Sequence, residues 1–344
     1  MKAAHLLEAM HMEIRDDMPM PKLEPGKVIV KMEYCGVCGS DVHYYKDGHV
    51  GDVVAPDNFI LGHEVAGTVV EVADDVKHLR PGDRVALEPG YPCGKCKLCR
   101  TGFYNLCTEV RFFADPPTAG ALQEYVAHPA DMCFKLPDNV STMEGALVEP
   151  LAVGLHATAQ GGVGLGDRII ILGGGCIGLV TLLSAKARGA AKMVVVDLFE
   201  KRLEVARRLG ATDVIDASKE NVEERVRELF DGEGADIVFE TAGSPHTIEQ
   251  TSYFARRGGT VVLVGMASQA VLPYNLQQVM LKELKIHSVF RYRNLYPTAI
   301  AAIASGTIDV KQIVSDEFTF EESDLAFRTA VEKAADVVKA VIRF

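Results

Sequence analysis

Hydrophobic positions fall into two textures along the chain. Up to about residue 150 they come as short β-branched runs, KVIVKM at 27–32, EVAGTVVEV at 64–72 and DRVAL at 83–87, and Pro-Gly pairs stand at 25–26 and 81–82. Such runs between turn signals predict an all-β unit of short strands. Near Pro150 strands begin to alternate with helices. RIIIL (168–172) leads into a helical stretch to Arg188, and MVVVD (193–197) precedes FEKRLEVARRL, which Gly210 ends as a C-cap. DVI (213–215) precedes ENVEERVRELF, where Val222, Val226, Leu229 and Phe230 recur at helical spacing. DIVFE (236–240) precedes a helix towards Arg256, TVVLV (260–264) follows, and KIHSVF (285–290) closes the series. Six apolar strands with intervening helices predict an α/β unit, a doubly wound parallel sheet, after the β unit. The last ~50 residues mix helix and strand, and their pattern assigns them to neither domain.

The length, 344 residues, fits two domains at roughly 150 residues each. Hydrophobic residues at 48% and charged residues at 24% exclude disordered, collagen-like and low-complexity classes. No apolar run approaches the ~20 residues that span a bilayer. The first residues, MKAAHLLEAMHMEIRDD, carry acids early and no small-residue cleavage site, so a cytoplasmic protein is expected. A net charge of −11 argues against nucleic acid and anionic membrane as partners.

The strand RIIIL runs into Gly173-Gly174-Gly175-Cys176-Ile177-Gly178 and then a helix. In a dinucleotide-binding reading Gly173 permits the tight turn, Gly175 lets backbone approach a pyrophosphate, and Gly178 allows close helix packing. Asp197 follows at the end of the next strand, where a carboxylate accepts ribose hydroxyls and repels a 2′-phosphate. NAD is therefore expected over NADP, with Arg202 placed to lie against the adenine.

Six of the eight cysteines fall in two tight groups, which in a large chain with reduced thiols points to metal rather than disulfides. Cys93, Cys96, Cys99 and Cys107 supply four thiolates on one short lobe, a closed tetrahedral shell for a structural zinc. Cys35 and Cys38, then His63 with Glu64, and later Glu149, offer the thiolate, imidazole and carboxylate of a catalytic zinc with an open position. Spacing alone does not choose between Cys35 and Cys38. A redox Cys-x-x-Cys is the rival reading, but such a pair belongs at a strand-to-helix junction of a small α/β domain, not among short strands.

CGVCGSDVHYY (35–45), GHEVAGTVVEV (62–72), KHLRPGDRVALEPG (77–90), the four-cysteine lobe and the Gly-rich loop together resemble the zinc-containing medium-chain dehydrogenases, over residues 1–344. SDVHYYKDGHVGD (40–52), EGALVEPLAVG (144–154) and VFRYRNLYP (289–297) resemble that family's polyol branch, the sorbitol and xylitol dehydrogenases. The resemblance implies a GroES-like catalytic domain over residues 1–153 with the structural zinc lobe at 90–110. It also implies a six-stranded Rossmann NAD-binding domain over 154–290, and a segment, 291–344, that returns to the catalytic domain. It selects Cys38 as the thiolate ligand and leaves Cys35 a bystander. His63, Glu64 and Glu149 complete the set, one carboxylate acting through water. Ser40 and His43 match a proton-relay path, Tyr44, Arg291 and Tyr292 match substrate contacts alongside Glu149, and Ile177, Val264, Gly265, Met266, Val289 and Phe290 match the cofactor cleft.

The implied activity is reversible NAD-linked oxidation of a secondary hydroxyl of a polyol, sorbitol to fructose or xylitol to xylulose, with two zinc ions per chain and a homotetrameric assembly. The alternatives are a butanediol, threonine or sugar-phosphate dehydrogenase on the same fold, or a non-catalytic NAD-binding protein. An anionic substrate calls for basic residues near the site, and only Arg291 is evident in the sequence.

Overall fold

The computed structural model describes every residue except Ser268. The chain forms two compact units, Met1–Glu149 with Tyr296–Phe344, and Pro150–Leu295. The division after Glu149 falls inside one helix, Val148–Gly161, and the expected limit at 153 lies further along it. A continuous helix carries no turn signal to mark such a division. Residues 291–295, expected with the C-terminal segment, belong to the second unit.

The first unit is built on a seven-stranded sheet. Its order is Cys133–Lys135, Arg84–Leu87, Glu64–Val72, Lys27–Gly36, Ala340–Arg343, Asp316–Thr319, with Tyr125–Pro129 also paired to Lys27–Gly36. The three apolar runs expected as strands are strands here. The C-terminal segment, whose pattern was ambiguous, joins this sheet because Val341, Ile342 and Arg343 pair with Gly36, Cys35 and Tyr34. The core collects Val28, Val30, Met32, Val65, Val69, Val85 and Leu87 from the central strands.

The second unit holds a six-stranded sheet in the order Asp213–Asp216, Lys192–Asp197, Arg168–Leu172, Ala235–Glu240, Ala255–Leu263, Lys285–Ser288. Every pair is parallel. The central runs are apolar on both faces because helices cover both, and Ile169, Ile170, Ile171 and Leu172 are all fully buried. The strand order reverses between Arg168–Leu172 and Ala235–Glu240, and the carboxyl ends of strands at such a switch point form the crevice where dinucleotides bind. The last strand ends at Ser288 rather than Phe290, with one more backbone bond from Val289 N–H to the Leu263 carbonyl at 2.9 Å, and Arg291 beyond it adopts a left-handed φ of 55°. No helix among the described residues is long and apolar enough to cross a membrane.

Candidate catalytic, metal and cofactor sites

In the first unit the sheet register brings Glu64 opposite Gly36, at the end of Lys27–Gly36. A Cβ at residue 36 would overlap Glu64 Oε2, so the glycine makes the room that this carboxylate occupies. Cys38 follows as the residue before helix Gly39–Asp47. Ser40 Oγ donates to Cys38 Sγ at 3.5 Å. One ligand atom each from Cys38, His63 and Glu64 lie within 4.8 Å of one another. A thiolate, an imidazole and a carboxylate so gathered fit a zinc ion that keeps an open position.

The surroundings set the protonation of these groups. Asp41 Oδ2 lies 3.2 Å from His63 Nδ1, which leaves Nε2 as the ligand nitrogen. Burial opposes the charged imidazole, but the Asp41 carboxylate and the Cys38 sulfur outweigh it and hold the pKa well above the ordinary value. Lys339, 2% exposed, reaches in from the C-terminal segment and donates to Glu64 Oε1 at 2.6 Å and to the Val37 carbonyl at 2.8 Å, so a buried cation is paired with this buried carboxylate. Burial, with the charges of Asp41 and Glu64, pushes the Cys35 thiol well up. A thiol held protonated is no metal ligand, and Cys35 Sγ instead donates to the Gly36 carbonyl at 3.5 Å.

Glu149 is buried in the first turn of its helix but stands outside the three-ligand cluster. Burial pushes the Glu88 carboxyl up to about 7 although the Tyr104 hydroxyl donates to it at 2.6 Å, and the Glu149 charge adds a little to the rise. Tyr44 is buried edge-to-face against Phe59. His43 is exposed and lies 3.5 Å from the Asp47 carboxylate.

Cys93, Cys96, Cys99 and Cys107 also converge, with ligand atoms within 4.8 Å of one another. The sulfurs of Cys93 and Cys96 lie 3.9 and 3.4 Å from that of Cys99. A tetrahedron with arms of ~2.3 Å has edges of about 3.8 Å, so the lobe fits a four-thiolate zinc. Backbone N–H groups of Lys95 and Cys96 pull the Cys93 thiol down to about 7, towards the ligand form.

In the second unit the Gly-rich loop joins strand Arg168–Leu172 to helix Cys176–Ala187. Gly173 has φ 105°, and a Cβ at Gly178 would overlap the Gly173 carbonyl. At Gly175 an added Cβ would meet nothing nearer than the Arg202 guanidinium at 3.8 Å, which leaves the loop open where a pyrophosphate approaches. Asp197 Oδ2 accepts from Gly174 N–H at 2.6 Å and Oδ1 from Phe199 N–H at 2.9 Å. Arg202 lies 3.6 Å from that carboxylate and over the Phe199 ring. Ile177 is in the first turn of helix Cys176–Ala187. Val264 and Gly265 donate to the Glu240 carbonyl, Met266 is exposed, and Val289 donates to Leu263 O at 2.9 Å. The Arg291 guanidinium stacks on Phe290 at 4.8 Å, and Tyr292 is buried.

Sequence reasoning assigned no role to Asp41, Lys339 or Gly36. Asp41 had a local signal, since it follows Cys38 by three residues and so lies about one helical turn on. Lys339 is so distant in sequence that only the fold shows its partner.

Residues 24–138 match the alcohol dehydrogenase GroES-like domain, and residues 176–305 match the zinc-binding dehydrogenase family. The chain is 47% identical over 335 residues to an uncharacterised zinc-type alcohol dehydrogenase-like protein of Escherichia coli, covering 96% of this chain and 94% of that one. It is 44% identical over 319 residues to mouse sorbitol dehydrogenase, covering 92% and 88% respectively. A crystal structure of an Escherichia coli oxidoreductase of unknown specificity superposes with a TM-score of 0.95 at 44% identity, covering 99% of this chain and 98% of that one.

Proposed function

From the premise that the chain belongs to the zinc-dependent medium-chain dehydrogenases, we propose that it oxidises a secondary hydroxyl of a polyol to a ketone with NAD, reversibly. The observation that carries this reading is the cluster of Cys38, His63 and Glu64, with a carboxylate, Glu149, buried in the same unit. When bound, zinc supplies Lewis acidity at the alcohol oxygen and the nicotinamide ring accepts the hydride.

The chain's own residues do the rest. Cys38, His63 and Glu64 hold the metal, and Asp41 orients the imidazole. Glu149 takes or orients the hydroxyl proton, and Ser40 and His43 pass it outward, His43 being exposed and able to exchange it with water. Arg291 donates to the remaining hydroxyls of the substrate, and the Tyr44 and Tyr292 hydroxyls donate to or accept from them. Asp197 accepts the adenosine ribose hydroxyls and repels a 2′-phosphate, which selects NAD. The four-cysteine lobe holds the second zinc, with no open position for chemistry. Homotetramer formation and a cytoplasmic location complete the reading, supported by the resemblance to the polyol branch.

Incubation with NAD and xylitol or sorbitol tests it, with the ketose identified chromatographically. Stoichiometric ketose and NADH are expected. Absence of both with every polyol overturns the reading, and equal or better use of NADP overturns the role of Asp197.

A further inference from the structure

A buried carboxylate closes the dinucleotide end of the six-stranded sheet, and no motif singles it out. Glu240 is the last residue of Ala235–Glu240, at the switch point, and is fully buried. Its Oε1 accepts three hydrogen bonds, from the N–H groups of Ala242 and Gly243 at 2.9 and 2.8 Å and from the Thr247 hydroxyl at 2.8 Å. Its backbone carbonyl accepts the N–H groups of Val264 and Gly265 at 2.8 and 2.9 Å. Its Oε2 is buried and accepts no hydrogen bond.

The side chain thus holds the Ala242–Gly243 turn and Thr247 to the strand end, while the backbone carbonyl, which any residue here would supply, holds Val264 and Gly265. The loops press backbone on backbone: a Cβ at Gly265 would overlap Gly243 N and lie 2.7 Å from Glu240 Oε2, and one at Gly243 would lie 2.5 Å from the Met266 carbonyl. The first loop also abuts the phosphate loop. Thr241 Oγ donates to the Gly173 carbonyl at 2.9 Å, and a Cβ at Gly173 would lie 2.9 Å from Ala242 N. Burial raises the Glu240 pKa while Thr247 and the backbone donors oppose the rise. An apolar side chain would fill this space without the cost of desolvating a carboxyl group, but it offers no acceptor for three donors.

We propose that Glu240 is a positioning residue for the dinucleotide: it fixes the spacing between the Gly173–Gly178 loop and the Val264–Met266 loop, so that the cofactor enters a preformed cleft. The proposal rests on the NAD-linked activity above. A cleft held in shape before binding lowers the ordering cost of the ligand, so the effect belongs to cofactor affinity and not to the chemical step.

The test is NADH affinity by fluorescence titration, with KM for NAD and for the polyol, in the full chain carrying Glu240→Ala, Glu240→Gln or Thr247→Val. Glu240→Ala is expected to weaken NADH and raise KM for NAD roughly tenfold or more, with KM for the polyol little changed. Thr247→Val removes one donor only, keeps the fold if Glu240→Ala does not, and is expected to weaken NADH by about threefold or more. Glu240→Gln keeps an oxygen that accepts the same three hydrogen bonds and is expected to restore affinity to within about threefold. Unchanged NADH affinity in folded Thr247→Val, or in folded Glu240→Ala, overturns the proposal alone. An unmodified protein that binds no NADH overturns it together with the dehydrogenase reading.

Discussion

Asp41 Oδ2 stands 3.2 Å from His63 Nδ1, with both side chains shut away from solvent. Asp41 also anchors the turn before the histidine, since its Oδ1 accepts from Gly62 N–H at 3.3 Å. The carboxylate thus fixes the tautomer and the orientation of the imidazole, and raises its basicity as a ligand. Asp41→Asn is expected to lower zinc affinity at the catalytic site by roughly 10- to 100-fold. Competition with a chromophoric chelator measures it, and affinity equal to that of the unmodified protein contradicts the role.

Cys38 and Cys35 flank the same Gly-Val step but sit in opposite environments. Cys38 lies at a helix N-terminus within reach of His63 and Glu64, whereas Cys35 is fully buried and held as a thiol. Cys38→Ala is expected to cost a thousandfold or more in kcat, roughly the several kcal/mol of charge stabilisation that zinc supplies. NADH binding should persist. Cys35→Ala should leave kcat within about threefold and lower stability by about 1 kcal/mol, the cost of losing a small buried side chain. Reversal of the two effects on kcat would show that the wrong thiol had been assigned.

The four-cysteine lobe predicts a different failure. Metal analysis of the purified chain should give two zinc ions, and Cys99→Ser should remove one of them. Melting temperature should fall more steeply than kcat in that variant, because a closed shell holds structure and contacts no substrate. One zinc in the unmodified chain, lost with all activity in Cys99→Ser, contradicts this division of roles.

Two buried histidines make stability depend on pH. Burial pushes His128 and His156 down to about 4, so the fold favours their neutral forms. The stability this represents is present above the ordinary value near 6.5 and is lost as pH falls towards 4. Urea midpoints should carry this fall between pH 7 and pH 5, partly offset by the Glu88 carboxyl, whose pKa of about 7 adds stability as pH falls through the same range. His128→Gln, which keeps a donor for the Glu88 carbonyl but does not titrate, should flatten that fall. An equally steep fall in the variant excludes His128 as a source.

The sequence made the parallel sheet legible because its strands are buried on both faces and read as unbroken apolar runs, RIIIL and MVVVD above all. The Gly-rich loop and the four cysteines were legible because each is a local motif with fixed spacing. The C-terminal strand Ala340–Arg343 was not, since only pairing with distant Lys27–Gly36 gives it a place. The same distance hid Lys339 from Glu64 and left the choice of Cys38 over Cys35 to resemblance. Glu240 carries no motif at all: a strand-end glutamate shows its role only through the loops that fold back on it.

The central claim is that this zinc dehydrogenase acts on the secondary hydroxyl of a polyol. Its most direct test compares kcat/KM with NAD across xylitol, sorbitol, 2,3-butanediol, threonine and a sugar-alcohol phosphate, using zinc-replete protein. The account predicts the highest value for an uncharged polyol, at least about tenfold above the rest, the gap expected when buried polar groups meet a substrate lacking their partners. A higher value for butanediol, threonine or the phosphorylated compound contradicts it.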